Sequence, residues 1–257
     1  MSQLQSSISD TYKYRNACHL AALDDLVFNS FKRNPDYNAI LEHVSEDQGR
    51  QYKQHIDKYF PEYQSKLKQF KENDAHGSPF VFEYKGIGRF SPTTLRYIKV
   101  LSDLKHLFGS LDNLNVIEIG VGYGGQCKVI SDFFKPNKYY LVDLEEALNL
   151  ADKYLKKLNV KNVEIVKPLD VNALDNQFDL IISNYAFTEL SRCTQELYLN
   201  KILLRSSHGY ITSNFVSKEF NIDSHSSDEL RTKLNTFNLR TLEEIPLTHK
   251  DNIIYFW

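Results

Sequence analysis

From residue 93 onward, short apolar runs alternate with longer stretches in which apolar residues recur every three or four positions. The short runs are typical of buried strands, and the longer stretches predict amphipathic helices. The predicted strands cover residues 116–119, 139–142, 163–166, 178–183, 209–215, 242–245 and 253–257. The predicted helices cover residues 94–108, 123–134, 145–158, 188–205 and 228–237. Strands that alternate with helices pair in parallel through right-handed crossovers.

This alternation predicts the fold class of residues 91–257, which is an α/β domain built on a Rossmann-like sheet. The last two predicted strands are separated only by a loop that includes the turn-like residues 249–252. We therefore expect a parallel sheet that carries a C-terminal antiparallel hairpin strand.

Residues 1–90 follow a different pattern, and we expect them to form a helical cap over the substrate side of the sheet. Residues 1–75 are polar and helical in periodicity, and the aromatic-rich residues 80–85 predict a short strand. The apolar positions of the cap are Leu20, Leu23, Leu26 and Val27 on one helical face and Tyr37, Ile40, Leu41 and Val44 on another.

Composition narrows the function classes. The 257 residues include 31 basic and 33 acidic side chains, a balance without the basic footprint of a nucleic-acid-binding protein. The three cysteines are widely spaced, so we expect neither a disulfide framework nor a metal site. The polar N-terminus and the lack of any 18-residue apolar run favour a cytoplasmic protein without a membrane partner. A monomer and a homodimer are both compatible with these patterns.

The most informative stretch of the sequence is the glycine loop at residues 116–126. Gly120, Gly122, Gly124 and Gly125 follow a predicted strand and precede a helix, where free backbone N–H groups and the helix dipole favour ligand binding. Two cofactor patterns fit. Three of the glycines match the dinucleotide pattern G-x-G-x-x-G. Glu118 followed by the glycines matches the acidic-x-G-x-G-x-G pattern of S-adenosylmethionine (SAM) enzymes, and an acidic group at this point disfavours a pyrophosphate.

Further candidates for cofactor binding follow the next strands, because ligands bind at the carboxyl ends of strands in such sheets. Asp143 is placed to accept hydrogen bonds from both ribose hydroxyls, or else simply caps the next helix. Asp170 is placed to accept a hydrogen bond from the adenine amino group, or else is a plain loop residue. The remaining candidates are Leu144 and Val171 against the adenine ring, and Ser183, Asn184 and Tyr185 where the methyl group leaves.

Three segments resemble a known family. Residues 91–97 (SPTTLRY), 118–126 (EIGVGYGGQ) and 183–190 (SNYAFTEL) are similar to the sugar O-methyltransferases, class I SAM-dependent enzymes found with polysaccharide-synthesis genes. Residues 34–49 resemble the N-terminal part of the same family, so the similarity runs from about residue 30 to the end. The C-terminal hairpin is also the usual ending of class I methyltransferases.

The resemblance implies a transferase that moves a methyl group from SAM to a sugar or glycan hydroxyl, with SAM held by Glu118, Gly120, Gly122 and Asp143. The same loop adds Tyr123, Gly124 and Gln126 to the predicted cofactor set, and Arg96 is a candidate partner for the SAM carboxylate. Three other functions stay open. They are a methyltransferase for another small molecule, a degenerate SAM-binding partner protein, and an NAD-dependent oxidoreductase.

A sugar hydroxyl is a poor nucleophile, so a general base is expected. The favoured candidates are Glu189, after the fourth strand of the predicted domain, and His225, in a polar insert after the fifth. His249, in the terminal turn, is a further candidate. The resemblance supplies no established base. Glu189 could also be a carboxylate favoured by a helix dipole, and each histidine could be merely solvated.

Overall fold

The structure is a computed structural model that describes residues 7–257. Nine strands form a two-stranded hairpin and a seven-stranded sheet. The strands are β1 (Phe82–Tyr84), β2 (Gly88–Phe90), β3 (Asn115–Ile119), β4 (Lys138–Val142), β5 (Val163–Val166), β6 (Phe178–Asn184), β7 (Ser206–Ser213), β8 (Arg240–Glu243) and β9 (Ile253–Phe256). The large sheet has the order β5-β4-β3-β6-β7-β9-β8. Its first five strands are parallel, and β9 pairs antiparallel with both β7 and β8. The predicted fold class is therefore confirmed.

Eleven α-helices cover the sheet and build the N-terminal segment of the described chain. They are α1 (Tyr12–Leu23), α2 (Asp25–Phe28), α3 (Pro35–Tyr37), α4 (Glu46–Tyr59), α5 (Leu67–Lys71), α6 (Pro92–Phe108), α7 (Gly125–Phe133), α8 (Glu145–Lys157), α9 (Ala186–Glu189), α10 (Arg192–Lys201) and α11 (Ser227–Lys233). A π-helical turn, Asn38–Glu42, joins α3 to α4. None of the helices in residues 7–257 is both long and apolar enough to cross a bilayer.

The strand register brings three chain segments to one edge of the sheet. Ile119, the last residue of β3, lies beside Val142 of β4 on one side and beside Ser183 of β6 on the other. Gly120, Asp143 and Asn184 are the next residues along these three segments. The glycine loop is therefore flanked by the ends of two parallel strands, as the strand-end rule expects.

Residues 7–90 do not form a core of their own. Helix α1 packs on α8, α4 packs on α6, and the buried side chains of both segments belong to one cluster. A buried ionic network reinforces this joint. The Asp103 carboxylate lies 2.6 Å from Lys99 Nζ, 3.2 Å from Nε2 of His55 on α4, and accepts a hydrogen bond from the Tyr210 hydroxyl on β7.

Three local predictions differ from the structure. Helix α1 ends at Leu23 and buries Tyr14, Ala17, Cys18 and Ala21 instead of the predicted leucine face. Leu23 and Leu26 are 72% and 81% exposed, because α2 restarts the helix in a new direction after the Asp24 cap. The single helix predicted over residues 188–205 is broken between α9 and α10, at Leu190 and Ser191. The predicted strand at residues 80–85 is half of a hairpin, β1–β2, whose second strand went unpredicted.

Candidate functional site

A cavity of about 520 Å³ lies at the carboxyl edge of β3, β4 and β6. One side, the sheet-edge wall, consists of Glu118, Ile119, Gly120, Val121, Gly122, Val142, Asp143, Leu144 and Asn184. A second side, the cap wall, consists of Ser7, Ser9, Tyr14, Ile40, Leu41, His43, Val44, Gln48 and Tyr52. A third side, the C-terminal wall, consists of Tyr185, Glu189, Leu190, Thr194, Leu197, Tyr198, Asn214, Val216, Thr248, His249 and Asn252. Arg96, Tyr97, Pro168, Leu169 and Ala186 complete the lining.

Two positions in the glycine loop require glycine. Gly120 has φ +80°, and a Cβ there would lie 2.0 Å from the Cβ of Ala186. Gly122 has φ +55°, and a Cβ there would lie 2.5 Å from Leu41 Cδ1 of the cap wall. L-residues with a side chain disfavour such φ values. The loop therefore brings bare backbone to the cavity, as close approach of a ligand requires.

Asp143 is bound to this loop by its carboxylate. Its Oδ2 accepts a hydrogen bond from the backbone N–H of Gly122 at 2.8 Å, and its Oδ1 accepts one from the N–H of Leu144 at 2.7 Å. Each carboxylate oxygen keeps a further lone pair for a ligand hydroxyl. Burial raises the pKa of Asp143 to about 6, although these backbone donors stabilise the ionised form.

Glu118 is the most deeply buried acid of the sheet-edge wall. Its Oε2 accepts a hydrogen bond from the Tyr139 hydroxyl at 2.6 Å. Burial raises the pKa of Glu118 to about 8 against the opposing effect of this hydrogen bond, and the nearby charge of Asp143 adds to the rise. Two acids with raised pKa values on one wall favour a ligand that carries positive charge, because a cation stabilises both ionised forms.

Arg96 projects from α6 into the same cavity. Its Nη2 donates a hydrogen bond to the Leu41 carbonyl at 3.1 Å. Within residues 7–257, no carboxylate lies close enough to form an ion pair with this guanidinium. Its remaining donors are therefore available to an anionic group of a ligand, with the fork geometry that suits a carboxylate.

Glu189 enters the cavity from the end of α9, next to the C-terminal end of β7. Its Oε1 accepts a hydrogen bond from Asn214 Nδ2 at 2.6 Å. Burial raises the pKa of Glu189, and the hydrogen bond from Asn214 only partly opposes the rise. A half-buried carboxylate with a raised pKa and a fixed orientation has the properties of a general base.

A polar network holds the C-terminal wall together. The Tyr185 hydroxyl donates to Glu244, a buried carboxylate that also accepts from the Thr248 hydroxyl and from Asn252 Nδ2. Tyr185 has φ +69°, a strained value for a residue with a side chain. The network fixes the loop between β8 and β9 beside the cavity, so that His249 joins the lining.

The family model described as "Methyltransferase domain" matches residues 110–251, which is more than half of the chain. The chain belongs to this methyltransferase family. Membership confirms the prediction of a class I, SAM-dependent enzyme with SAM as cofactor.

Individual relatives of this methyltransferase are distant. The release factor glutamine methyltransferase of Buchnera aphidicola is 28% identical over 92 residues, which are 34% of this chain and 33% of that protein. The chain thus spans about a third of the length of this curated relative. A SAM-dependent methyltransferase from Aquifex aeolicus is 23% identical, with TM-score 0.45, over 62% of this chain and 87% of the other. Magnesium protoporphyrin IX methyltransferase from Synechocystis, with bound SAH, is 15% identical, with TM-score 0.47, over 63% and 85%.

The structure of the methyltransferase brings about half of the predicted cofactor residues to the cavity. Those that line it are Arg96, Glu118, Gly120, Gly122, Asp143, Leu144 and Asn184. Those that do not line it are Tyr123, Gly124, Gln126, Asp170, Val171 and Ser183. In the second group, Asp170 is exposed in a turn, and Val171 is buried in the hydrophobic core. The Ser183 hydroxyl binds the Ile119 carbonyl and the Phe187 N–H, so it joins strand to helix.

Tyr123 and Gln126, which stand out in the glycine motif, face away from the cavity. The Tyr123 hydroxyl accepts a hydrogen bond from Asn73, a fully buried residue that also accepts one from the Tyr154 hydroxyl. Gln126 Nε2 donates to the Tyr97 carbonyl at 3.2 Å. In this structure the two motif residues therefore attach the glycine loop to the N-terminal segment and to α6. Their place in the glycine loop had predicted both as cofactor residues.

The two favoured candidates for the base lie in different places. Glu189 lines the cavity, whereas His225 lies beside a second, smaller depression. The His225 Nδ1 is 2.7 Å from Arg192 Nη1, and its Nε2 is 2.8 Å from Glu196 Oε1. His225 is buried and held in this ionic network, which separates it from the glycine loop.

Most of the cap wall went unpredicted. Tyr14 and Tyr52 line the cavity, although they are far from the glycine loop in sequence and look like ordinary helical core residues. Residues of the N-terminal segment form one side of the cavity. The strand at Phe82–Tyr84 does not reach the cavity, and the Tyr84 ring packs instead against Gly49 of α4. Within residues 7–257, no three His, Cys, Asp or Glu side chains are grouped as a metal site.

Proposed function

We propose that this methyltransferase transfers the methyl group of SAM to a hydroxyl of a sugar or glycan. The observation that carries the proposal is the Glu189–Asn214 pair, which presents a half-buried carboxylate to the same cavity as the glycine loop. The surrounding C-terminal wall combines tyrosine rings with amide and hydroxyl groups. Rings suit the apolar faces of a pyranose, and the polar groups suit its hydroxyls.

The residues of the sheet-edge wall fit SAM. Asp143 would accept the ribose hydroxyls, and Leu144 would pack against the adenine ring. Glu118 would accept a hydrogen bond from the ammonium group, and Arg96 would bind the carboxylate. The raised pKa values of Glu118 and Asp143 support this arrangement, because a buried acid gains most from a cationic neighbour. The bare backbone at Gly120 and Gly122 leaves room for the close approach.

The reaction needs little covalent chemistry from the protein. SAM supplies an electrophilic methyl group on a sulfonium. Glu189 would accept the proton of the acceptor hydroxyl as the new carbon–oxygen bond forms and the methyl carbon–sulfur bond breaks, with the thioether S-adenosylhomocysteine as the leaving group. The carboxyl would later release that proton to solvent. The cap wall would exclude water and hold the acceptor oxygen in line with the methyl group, which lowers the entropic part of the barrier.

Transfer of radiolabelled methyl from SAM to a panel of small acceptors tests this function. The panel contains methyl glycosides of neutral hexoses and deoxyhexoses, a nucleotide sugar, a catechol and an alkylamine, and mass spectrometry identifies the methylated atom. We expect label in a sugar hydroxyl. We also expect Glu189→Gln to lose about 10²- to 10⁴-fold in kcat, the usual contribution of a general base.

The matched control is Glu164→Gln, a change at an exposed acid on β5 that pairs with Lys138. It should keep wild-type activity. Label that enters only the catechol or the amine would contradict the sugar assignment. Near-normal turnover by Glu189→Gln at saturating acceptor would contradict the role of Glu189.

A further inference from the structure

Asn214 lies directly after β7, and it contacts two consecutive residues of α9. Its side-chain Nδ2 lies 2.6 Å from Glu189 Oε1, whereas its backbone N–H donates to the Thr188 hydroxyl oxygen at 3.2 Å. The loop after one strand thus binds both the last residue of α9 and the residue before it. This arrangement fixes the position of Glu189 relative to the sheet edge.

Thr188 lies against the Asn214 amide. The single proton of the Thr188 hydroxyl is shared between the Tyr185 carbonyl at 3.0 Å and Asn214 Oδ1 at 3.3 Å. Thr188 is buried, so its hydroxyl has few alternative partners. Because an ionised carboxylate only accepts hydrogen bonds, the NH₂ group of Asn214 faces Glu189, and Oδ1 faces the Thr188 hydroxyl.

The Glu189 carboxylate therefore has one occupied and one available oxygen. Among the described residues, Asn214 is the side chain that donates to it, and the bond goes to Oε1. The second oxygen, Oε2, is left to take a proton in the cavity. A hydrogen bond from a neutral donor to a carboxylate favours the ionised form, which is the form that a base requires.

We propose that Asn214 is a positioning residue that stabilises the ionised form of Glu189 and directs its free oxygen toward the acceptor hydroxyl. The inference rests on the proposed function, in which Glu189 is the base. In this inference Asn214, the residue after β7, positions the carboxylate of Glu189 on α9, and Thr188 supports the Asn214 side chain.

The test measures the pKa of Glu189 itself, so it does not depend on the acceptor. Protein labelled with ¹³C at the glutamate carboxyl carbons is titrated by NMR in the presence of S-adenosylhomocysteine (SAH). The Glu189 signal is assigned by its loss in Glu189→Gln. Asn214→Ala removes the donor, and we expect the pKa of Glu189 to rise by about one unit, a tenfold change in its acid dissociation constant.

Two further variants make the test specific. Ser217→Ala removes a hydrogen bond of 2.7 Å to the Thr188 carbonyl, so it disturbs the same segment without touching the Glu189 carboxylate. It should leave the pKa of Glu189 unchanged. Asn214→Asp replaces the donor with a like charge and should raise the pKa more than Asn214→Ala does. Arg96, Tyr185, Tyr198 and His249 line the same cavity and are retained in all three variants.

The result that overturns the proposal is a pKa of Glu189 that is the same in wild type, Asn214→Ala and Asn214→Asp. An equal rise in Ser217→Ala also overturns it, because the effect would then be structural. Failure of the proposed function looks different. In that case the pKa shifts as expected, yet Glu189→Gln still transfers methyl groups at the wild-type rate, and Asn214 then has no catalytic consequence.

Discussion

The sheet-edge wall and the C-terminal wall of the cavity carry similar side chains but favour different chemistry. Both present a carboxylate with a raised pKa, the buried Glu118 on the first and the half-buried Glu189 on the second. Glu118 lies on β3, next to the bare backbone of the glycine loop and near a second acid, Asp143, an arrangement that favours a cationic ligand. Glu189 is paired with one neutral amide, an arrangement that favours proton transfer. The surroundings of a carboxyl group, more than its type, determine which chemistry it can support.

The three walls of the cavity also differ in the interactions that hold them in place. The sheet-edge wall is fixed by strand pairing and by the hydrogen bonds of Asp143 to the glycine loop. The C-terminal wall and the cap wall are held by side-chain networks around Glu244 and Asp103. We therefore expect backbone changes to damage the first wall most, and changes of charge or hydrogen bonding to damage the other two.

The largest expected effect concerns the joint that holds the cap wall. Asp103→Asn leaves Lys99 buried without its carboxylate, and loss of one partner from a buried pair costs about 3–5 kcal/mol in the free energy of unfolding. Urea unfolding measures this loss. Asp152→Asn breaks an exposed i,i+4 pair with Lys156 and should cost less than about 0.5 kcal/mol.

The same joint should make the protein sensitive to acid. Burial tends to raise the pKa of Asp103, but hydrogen bonds from His55, Lys99 and Tyr210 and the charge of Lys99 outweigh it, so the pKa is lowered. A lowered pKa gives stability above the pKa of the unfolded carboxyl, and this stability is lost as the pH falls through the folded value. Equal unfolding free energies of wild type and Asp103→Asn at neutral pH would contradict this account.

Gly120→Ala tests the sheet-edge wall. The left-handed φ costs about 1–2 kcal/mol for any residue with a Cβ, and the clash with Ala186 adds about 1–3 kcal/mol. Gly86→Ala is the matched control, because Gly86 has φ +86° and nothing within 4 Å of its added Cβ. Thermal or urea unfolding should therefore show a clearly larger loss for Gly120→Ala. Equal losses would mean that no close contact restricts the loop at this position.

Arg96→Met separates two possible ligands of the guanidinium. If Arg96 binds the carboxylate of the cofactor, the variant should bind SAH about tenfold more weakly, which corresponds to about 1.4 kcal/mol. Its affinity for 5′-methylthioadenosine, which lacks that carboxylate, should stay the same. Isothermal titration calorimetry measures both. Equal weakening for the two ligands would place Arg96 outside the carboxylate site.

The smallest expected effect is the release of a proton when SAH binds. The pKa of Glu118 is about 8, so much of this carboxyl is protonated at pH 7, and an ammonium group beside it would lower the pKa. Binding of SAH should then release up to one proton, and affinity should rise as the pH increases from about 6 to about 8. Calorimetry in phosphate and Tris buffers detects the release. The release should vanish in Glu118→Gln and persist in Glu164→Gln, and a release that persists in Glu118→Gln would assign it to another group.

Much of the sheet-edge wall could be predicted from the sequence because its residues follow strands directly. Once the strands at 116–119, 139–142 and 178–183 are recognised, the rule that ligands bind at carboxyl ends places Gly120, Asp143 and Asn184 together. The rule selects the wrong residue after β5. Pro168 and Leu169 line the cavity, whereas Asp170 lies further along the turn and is exposed, and Val171 packs into the core.

The cap wall could not be predicted in this way, because its residues meet the cavity through tertiary packing. Tyr52 lies on one face of α4, and only the packing of α4 on α6 brings it to the cavity. The same limit explains the helix that was predicted with the wrong face. Leu20 and Leu23 share a helical periodicity with Leu26, but the Asp24 cap starts a new helix before the pattern can continue.

The most direct test of the cofactor site is calorimetric titration of the purified protein with SAH and with NADH, repeated on Asp143→Ala. We expect wild type to bind SAH but not NADH. Loss of one or two charge-assisted hydrogen bonds to ribose should weaken SAH binding by about 10- to 100-fold in Asp143→Ala. Binding of NADH alone, or unchanged SAH affinity in Asp143→Ala, would contradict the account.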